Sequence, residues 1–150
     1  MAPSTEVMIG DPAGQHVAIR PVGRSLPGLF DPADGARIEC EIQIAAGSFR
    51  GAFRADLRSE EFSLFLEELT GFGRSLLDAA RFSTMERQIG LTVARDGQGQ
   101  LRLDGEAADA AEGGNRLRFG FDIDQAALPQ IGAALKNFLA AFPVAHAPEV

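Results

Sequence analysis

The sequence has no tryptophan and no tyrosine, and it has only one cysteine, Cys40. A single cysteine excludes an internal disulfide bond. Tryptophan and tyrosine are two of the three residue types that most often anchor protein interfaces, so an interface of this chain must rely on arginine, carboxylates or backbone edges. Cys40 lies between Ile38 and Ile42 in an alternating segment, where cysteine usually behaves as a small buried apolar group.

Long apolar runs are also missing. No run approaches the roughly 18 residues that a membrane-spanning helix needs, and the first ten residues do not resemble a signal peptide. We therefore expect a cytoplasmic protein. The formal net charge of −7 argues against binding to a nucleic-acid backbone, for which basic surfaces supply most of the affinity. A basic protein partner would suit this charge better.

The sequence shows no arrangement typical of catalysis, of a cofactor or of a metal site. Its two histidines, His16 and His146, stand near opposite ends of the chain, and zinc-type ligand spacing is absent. Residues 10–14 lack the lysine of a phosphate-binding loop, and residues 96–99 lack the ligand pattern of a calcium loop. We expect both segments to be turns, and we expect a protein that is not an enzyme and holds no cofactor.

Asp122 and Asp124 leave one chemical alternative open. Side chains two residues apart on a strand project from the same face. Such a pair of carboxylates could bind a divalent cation or act as acid and base. Structural roles are the preferred interpretation, because Arg102 is predicted opposite Asp122 and because Asp124 stands just before a predicted helix.

What the sequence does have is material for a core. Its eleven phenylalanines carry large rings without a polar group, and each buried ring stabilises the fold by roughly 1.5–3 kcal/mol. A length of 150 residues suits a single domain. We find no internal repeat, and we expect residues 1–5 and 144–150 to be loose tails and residues 23–35 to form a loop.

Strict alternation of apolar and polar residues predicts strands over residues 37–57 and 89–123. A turn at Ala46-Gly47 would place Glu39 opposite Arg54 and Ile42 opposite Gly51. Further along, the pairing of Leu103 with Phe121 places Arg102 opposite Asp122, Glu106 opposite Arg118, and Gly105 opposite Phe119. Weaker strand candidates cover residues 6–9, 16–22 and 81–86.

Two amphipathic helices account for most of the remaining residues. The first is predicted to begin at an N-cap Ser59 and to continue to Leu77, with a kink or break near Gly71 and Gly73. The second has Pro129 in its first turn and stops before Pro143.

The predicted fold class is α+β. The chain should form a curved antiparallel sheet of about six to eight strands, built from hairpins, with both helices packed on one face. The other face is charged. A solvated surface is its simplest interpretation, and a partner-binding face is the functional one, formed by Glu39, Glu41, Arg50, Arg54, Arg102, Glu106, Arg118 and Asp122.

Several segments together resemble a known family. They are residues 47–53, 66–69, 96–101 and 114–119, followed by Asp122-Ile123-Asp124-Gln125 and Leu128-Pro129. Over residues 47–142 the chain resembles small bacterial proteins that include WapI-type immunity proteins, which are proposed antidotes to toxic domains of cell-surface contact toxins. The resemblance implies a non-enzymatic bacterial protein that binds a toxin domain, and it assigns no functional residue.

Two other functions stay open at this stage. The protein could bind a small apolar ligand in a cavity between the sheet and the C-terminal helix. It could also have a structural or oligomerisation role, since the sequence does not indicate which strands form the sheet edges.

Overall fold

Two four-stranded antiparallel sheets and two helices form the fold in a computed structural model, which describes residues 4–24 and 37–144. Most of the predicted loop of residues 23–35 lies outside the described residues. The same holds for residues 1–3 and 145–150 of the predicted tails.

Each sheet is a meander whose strand order follows the chain. The first sheet consists of β1 (Val7–Gly10), β2 (His16–Arg24), β3 (Arg37–Ala46) and β4 (Phe49–Arg58), and helix α1 (Ser59–Gly73) follows it. The second sheet consists of β5 (Ala79–Phe82), β6 (Ile89–Arg95), β7 (Leu101–Ala108) and β8 (Arg116–Asp122), and helix α2 (Ala127–Ala141) follows it. The structure therefore repeats a ββββα unit that the sequence did not reveal as a repeat.

The α+β class is confirmed, but the prediction of one curved sheet of six to eight strands is not. The chain leaves the first sheet directly into α1, and β5 then begins a separate sheet. Alternation of apolar and polar residues indicates which face of a strand is buried. It does not indicate whether the strands before a helix and the strands after it belong to the same sheet.

One apolar core joins both sheets to both helices. At its centre Phe62 of α1 stacks on Phe138 of α2, with ring centroids 3.9 Å apart and planes inclined by 18°. Phe82 of β5 contacts Phe62 at a centroid distance of 5.1 Å and Phe65 at 5.3 Å. Tilted and offset ring pairs of this kind add to the free energy of burial.

The register of the β3–β4 hairpin differs from the prediction by two residues. Glu39 lies opposite Asp56 and Ile42 lies opposite Phe53, because the loop is Gly47-Ser48 and not Ala46-Gly47. Gly47 has a φ of +60°, a conformation that glycine adopts without steric cost. A shift of two residues keeps every side chain on its predicted face.

The predicted register of β7 and β8 is confirmed. Arg102 lies opposite Asp122, Leu103 opposite Phe121, and Glu106 opposite Arg118. Gly105 lies opposite Phe119, whose ring covers it so closely that a Cβ on Gly105 would overlap the ring atoms. The weaker strand candidate at residues 81–86 is displaced, since β5 spans Ala79–Phe82.

Helix α1 differs from the prediction at both ends. Its N-cap is Arg58, so Ser59 is already helical, and the backbone N–H of Arg58 donates to Glu61 Oε1 at 2.7 Å. The predicted kink or break near Gly71 and Gly73 is confirmed as a break at Gly73, where the helix ends. The helix passes through Gly71, where the side chain of Leu77 covers the glycine. Leu76 lies beyond the helix and is 74% exposed.

Helix α2 agrees with the prediction, and Pro129 lies in its first turn. Among the described residues, no helix is both long enough and apolar enough to cross a membrane.

The contact between Gly105 and Phe119 generates a stability prediction. Gly105→Ala should lower the free energy of unfolding by about 1–3 kcal/mol, because the new methyl group forces the Phe119 ring to move. Urea denaturation measures the change. Gly51→Ala in β4 is the matched control, since a Cβ there meets nothing within 4 Å. Equal effects of the two substitutions would contradict the packing described.

A second prediction concerns Glu61, which is partly buried and accepts hydrogen bonds from the backbone N–H groups of Arg58 and Met85. Burial raises the pKa of Glu61 above its ordinary value, in spite of these hydrogen bonds. The native state therefore disfavours the carboxylate, and the stability that Glu61 contributes is greatest at low pH and falls as the pH rises through its raised pKa.

Carboxyl carbon NMR of Glu61 should give a titration midpoint above that of an exposed glutamate. The difference in unfolding free energy between the wild type and Glu61→Gln should decrease over the same pH range. A midpoint at or below the ordinary value would show that hydrogen bonding outweighs burial at this site.

Candidate functional site

The eight charged residues that were predicted to form one binding face lie on the outer faces of two different sheets. The first sheet carries Glu39, Glu41, Arg50 and Arg54, and the second carries Arg102, Glu106, Arg118 and Asp122. The alternation assigned each residue to the solvent side correctly. It did not separate the two groups, because it did not indicate that the chain forms two sheets.

On the first sheet most of these charges are paired. Arg20 of β2 contacts Glu41 at 2.9 Å, and Arg54 donates to Glu39 Oε1 at 2.9 Å. The hydrogen bond to Glu39 raises the pKa of Arg54 above its usual value. Nη1 of Arg50 donates to the backbone carbonyl oxygens of Gly47 at 3.0 Å and Phe49 at 3.2 Å. The prediction missed Arg20, although its alternating position in β2 could have indicated it.

On the second sheet the arginines and carboxylates are less evenly matched. Nε of Arg102 donates to Asp104 Oδ1 at 3.1 Å, and its Nη1 lies 3.7 Å from Asp122 Oδ1. Glu106 lies 3.2 Å from Arg116 and 3.9 Å from Arg118. One carboxylate therefore serves two arginines, and the side chain of Arg118 remains 87% exposed.

A groove crosses the outer face of the second sheet. Its volume is about 420 Å³, and it passes over Gly90 and Thr92 of β6. Gly90 has no side chain and that of Thr92 is small, so no large side chain of β6 fills the groove. A neighbouring cavity of about 750 Å³ shares Ser83, Gly90 and Glu106 with it. We call the two together the arginine groove, after the four arginines that line it: Arg81, Arg87, Arg116 and Arg118.

The arginine groove is a local positive region on an acidic protein. Among the described residues, the side chains of Arg81 and Arg87 form no ion pair. Arg87 has a φ of +57°, a left-handed conformation that costs a non-glycine residue free energy. Asp104, which also lines the groove, is already bonded to Arg102. The groove can therefore accept negatively charged groups of a partner.

Asp122 and Asp124 both have structural partners. Asp122 faces Arg102, and Oδ1 of Asp124 accepts a hydrogen bond from the backbone N–H of Ala126 at 2.9 Å, just before α2. Within residues 4–24 and 37–144, no group of three or more histidine, cysteine, aspartate or glutamate side chains is arranged to hold a metal ion.

Cys40 lies in the core with no exposed surface. Burial, together with nearby carboxylates, raises the pKa of its thiol to about 12. The thiolate is the nucleophilic form of cysteine, so this residue stays unreactive at neutral pH.

Phenylalanine rings fill the space beneath α2. Ile131, Leu135 and Phe138 of α2 are fully buried, and Phe138 stacks on Phe62. These rings pack against one another, which does not favour a ligand cavity between the helix and a sheet. The groove of about 520 Å³ between α1 and α2 opens to solvent, and its lining combines apolar residues such as Leu66 and Leu128 with Thr70, Gln125 and Lys136.

A buried glutamine that sequence reasoning missed connects the two sheets. The side-chain amide of Gln88 donates to the backbone carbonyl oxygens of Arg54 in β4, at 3.1 Å, and of Ala108 in β7, at 3.3 Å. The backbone carbonyl oxygen of Gln88 accepts a hydrogen bond from the backbone N–H of Ala108 at 2.8 Å. No periodic signal could have revealed Gln88, because it lies just before β6 and its partners are distant in sequence.

Comparison with known proteins gives one family. The sequence model of the immunity protein WapI-like family matches residues 8–143. This match confirms the resemblance noted over residues 47–142. No curated protein matches the sequence.

Two solved structures are similar over most of their length. The crystal structures of Trypanosoma bruciei MRP1/MRP2 have 12% identity and a TM-score of 0.48, over 97% of this chain and 90% of theirs. The structure of the plant transcriptional regulator PBF-2 has 15% identity and a TM-score of 0.47, over 93% of this chain and 83% of its own. With TM-scores below 0.5, neither likeness supports an inference about this protein.

The bridge formed by Gln88 leads to a further stability prediction. Gln88→Leu should lower the free energy of unfolding by about 1–3 kcal/mol, because it removes the donor to two backbone carbonyls at the junction of the sheets. Thermal and urea denaturation measure the loss. Gln98→Ala, in the exposed turn between β6 and β7, is the control and should change stability little. A neutral Gln88→Leu would show that the two sheets are held together without this bridge.

Proposed function

The chain belongs to the WapI-like immunity protein family, whose sequence model matches residues 8–143, and we propose that it binds a toxin domain and neutralises it. The family match is the observation that carries this proposal, since it covers nearly all the described residues. The partner is a protein, and the site of action is the cytoplasm of the bacterium that makes the chain.

Neutralisation by binding requires a stable surface and no chemistry of its own. The buried core that joins both sheets and both helices supplies a rigid support, and the charged outer faces supply the contacts. A pre-organised surface loses little conformational entropy on binding, which favours affinity. In the absence of tryptophan and tyrosine, arginine is the residue type best suited to anchor such an interface.

The charged residues of both sheets remain our proposed partner-binding face: Glu39, Glu41, Arg50, Arg54, Arg102, Glu106, Arg118 and Asp122. The net charge of −7 would accelerate association with a basic toxin domain. Many toxins that cleave nucleic acid need basic surfaces to hold their substrate. Long-range attraction of this kind acts on the approach of the two proteins, whereas individual arginines act on contact.

Co-expression tests the proposal. The toxin domain encoded next to this gene should stop bacterial growth when it is expressed alone, and growth should recover when this chain is expressed with it. A non-enzymatic inhibitor acts stoichiometrically, so protection should require at least one copy per toxin domain, and size-exclusion chromatography should show a complex of the two.

Gln98→Ala should protect as well as the wild type and serves as the control. Protection at levels far below one copy per toxin would indicate an enzymatic mechanism. Absence of a neighbouring toxin gene, together with no protection against any contact-toxin domain tested, would refute the function.

A further inference from the structure

The edges of the two sheets differ in how they are closed. Helix α2 packs against β1. On β5, the backbone N–H of Arg81 donates to Glu68 Oε1 of α1 at 3.1 Å, and on β4 the carbonyl of Arg54 accepts a hydrogen bond from Gln88. Unpaired edge strands are sites at which another chain can add a strand, so these contacts restrict where that can happen.

Within residues 4–24 and 37–144, no strand pairs with the outer edge of β8. The N–H of Ile123 donates to the carbonyl of Leu101 at 3.0 Å, which makes this pair a hydrogen-bonded one. Pairs alternate along an antiparallel ladder, so Phe119 and Leu117 bond to β7 while the N–H and C=O groups of the residues between them point away from it. Among the described residues, no group bonds to the outward backbone of Arg116, Arg118 or Gly120.

The two sides of this edge differ in chemistry. On the outer side stand Arg116 and Arg118, whose side chains are 54% and 87% exposed and share Glu106 as their nearest carboxylate. On the inner side stand Leu117 and Phe119, which are half-buried and pack against the core. A strand placed beside β8 would therefore meet positive charge on one face and apolar surface on the other.

We propose that β8 receives an extended segment of the toxin as a fifth strand of the second sheet. The segment carries acidic side chains at alternate positions, opposite Arg116 and Arg118, and apolar side chains between them, opposite Leu117 and Phe119. Backbone hydrogen bonds supply affinity in this mode of recognition, and the alternate side chains supply specificity. This inference rests on the function proposed above, and it assigns that function to residues 116–120.

The arginine groove continues the same surface. Arg118 lines it together with Arg81, and Arg116 lines the adjoining cavity together with Arg87. The arginines of this surface favour an acidic segment locally, whereas the net charge of −7 favours a toxin domain that is basic as a whole.

The open half of β4 is a weaker candidate. Its arginines are already engaged, since Arg50 donates to the carbonyls of Gly47 and Phe49, and Arg54 donates to Glu39. On the core side, Gly51 offers no side chain. Charge complementarity with an acidic strand is therefore better at β8.

A peptide probe tests the site without the toxin. A capped peptide Glu-Val-Glu-Val-Glu-Val-Glu, added to the isotope-labelled full chain, should shift the backbone amide resonances of Arg116, Arg118 and Gly120 and slow their hydrogen exchange. The analogue with lysine in place of every glutamate, and the block peptide with the glutamates first and the valines last, should cause smaller shifts. A single-stranded oligothymidylate tests whether the site takes phosphates instead.

Two variants of Arg118 distinguish the contribution of its charge to binding from the contribution of its backbone N–H. Arg118→Glu reverses an exposed charge, and Arg118→Pro removes an outward N–H that β7 does not use, a change that edge strands tolerate. Each should weaken binding of the alternating peptide, and of the toxin domain, at least tenfold. Arg74→Glu, which reverses an exposed charge after α1, is the matched control and should bind as the wild type. Circular dichroism confirms that each variant is folded.

The outcomes show separately whether the proposed site at β8 and the proposed neutralisation of a toxin are correct. Toxin protection that survives both Arg118 variants would overturn the site while leaving the proposed function intact. Peptide binding at β8 without protection against the toxin would support the edge and refute the function. Shifts on β4 alone, equal shifts with the lysine peptide, or binding of oligothymidylate without binding of the peptide would each overturn the inference.

Discussion

The stack of Phe62 on Phe138 is the contact on which the rest of the architecture depends. It brings α1 and α2 together, and Phe82 joins it to the second sheet. Since all three rings are buried and none carries a polar group, the stack is stabilised by apolar burial and dispersion alone. The two sheets are placed around this stack, and their charged faces are turned outward as a result.

Polar contacts then fix what apolar burial leaves undetermined. Burial is not directional, so it brings the sheets together without setting how their edges meet. Gln88 sets this geometry for β4 and β7, and Glu68 does so for β5 and α1. The bonds to Arg54 of β4 and Arg81 of β5 satisfy backbone groups on edge strands. Among the described residues, no such bond covers residues 116–120 of β8, so their outward backbone groups are available to another strand.

The sequence predicted the second hairpin better than the first, and the residues explain why. For β7 and β8, two opposite-charge pairs and the fit of Phe119 over Gly105 agree on one register. For β3 and β4, Arg54 can pair with Glu39 diagonally as well as directly, so matched charges do not distinguish two registers that differ by two residues. Only the turn decides between them, and Gly47-Ser48 was not recognised as the loop.

The sequence predicted correctly that each charged residue faces solvent, but it did not predict that these residues belong to two separate surfaces. Period-two alternation correctly placed Arg54 and Arg118 toward solvent, but the division into two sheets depends on where α1 directs the chain, which is a tertiary effect. Gln88 and the four arginines that line one groove likewise come together only through folding. Such features lie beyond local patterns, because their members are separated by strands whose pairing the sequence does not specify.

The repeated ββββα unit has a consequence for how the molecule folds. The helix that ends the first unit lies against β5 of the second, while the helix that ends the second lies against β1 of the first. Neither half can complete its own core, so we infer that the halves fold in a single cooperative step. Fragments cut between α1 and β5 would each lack the helix that covers them, and they would regain structure by complementing one another.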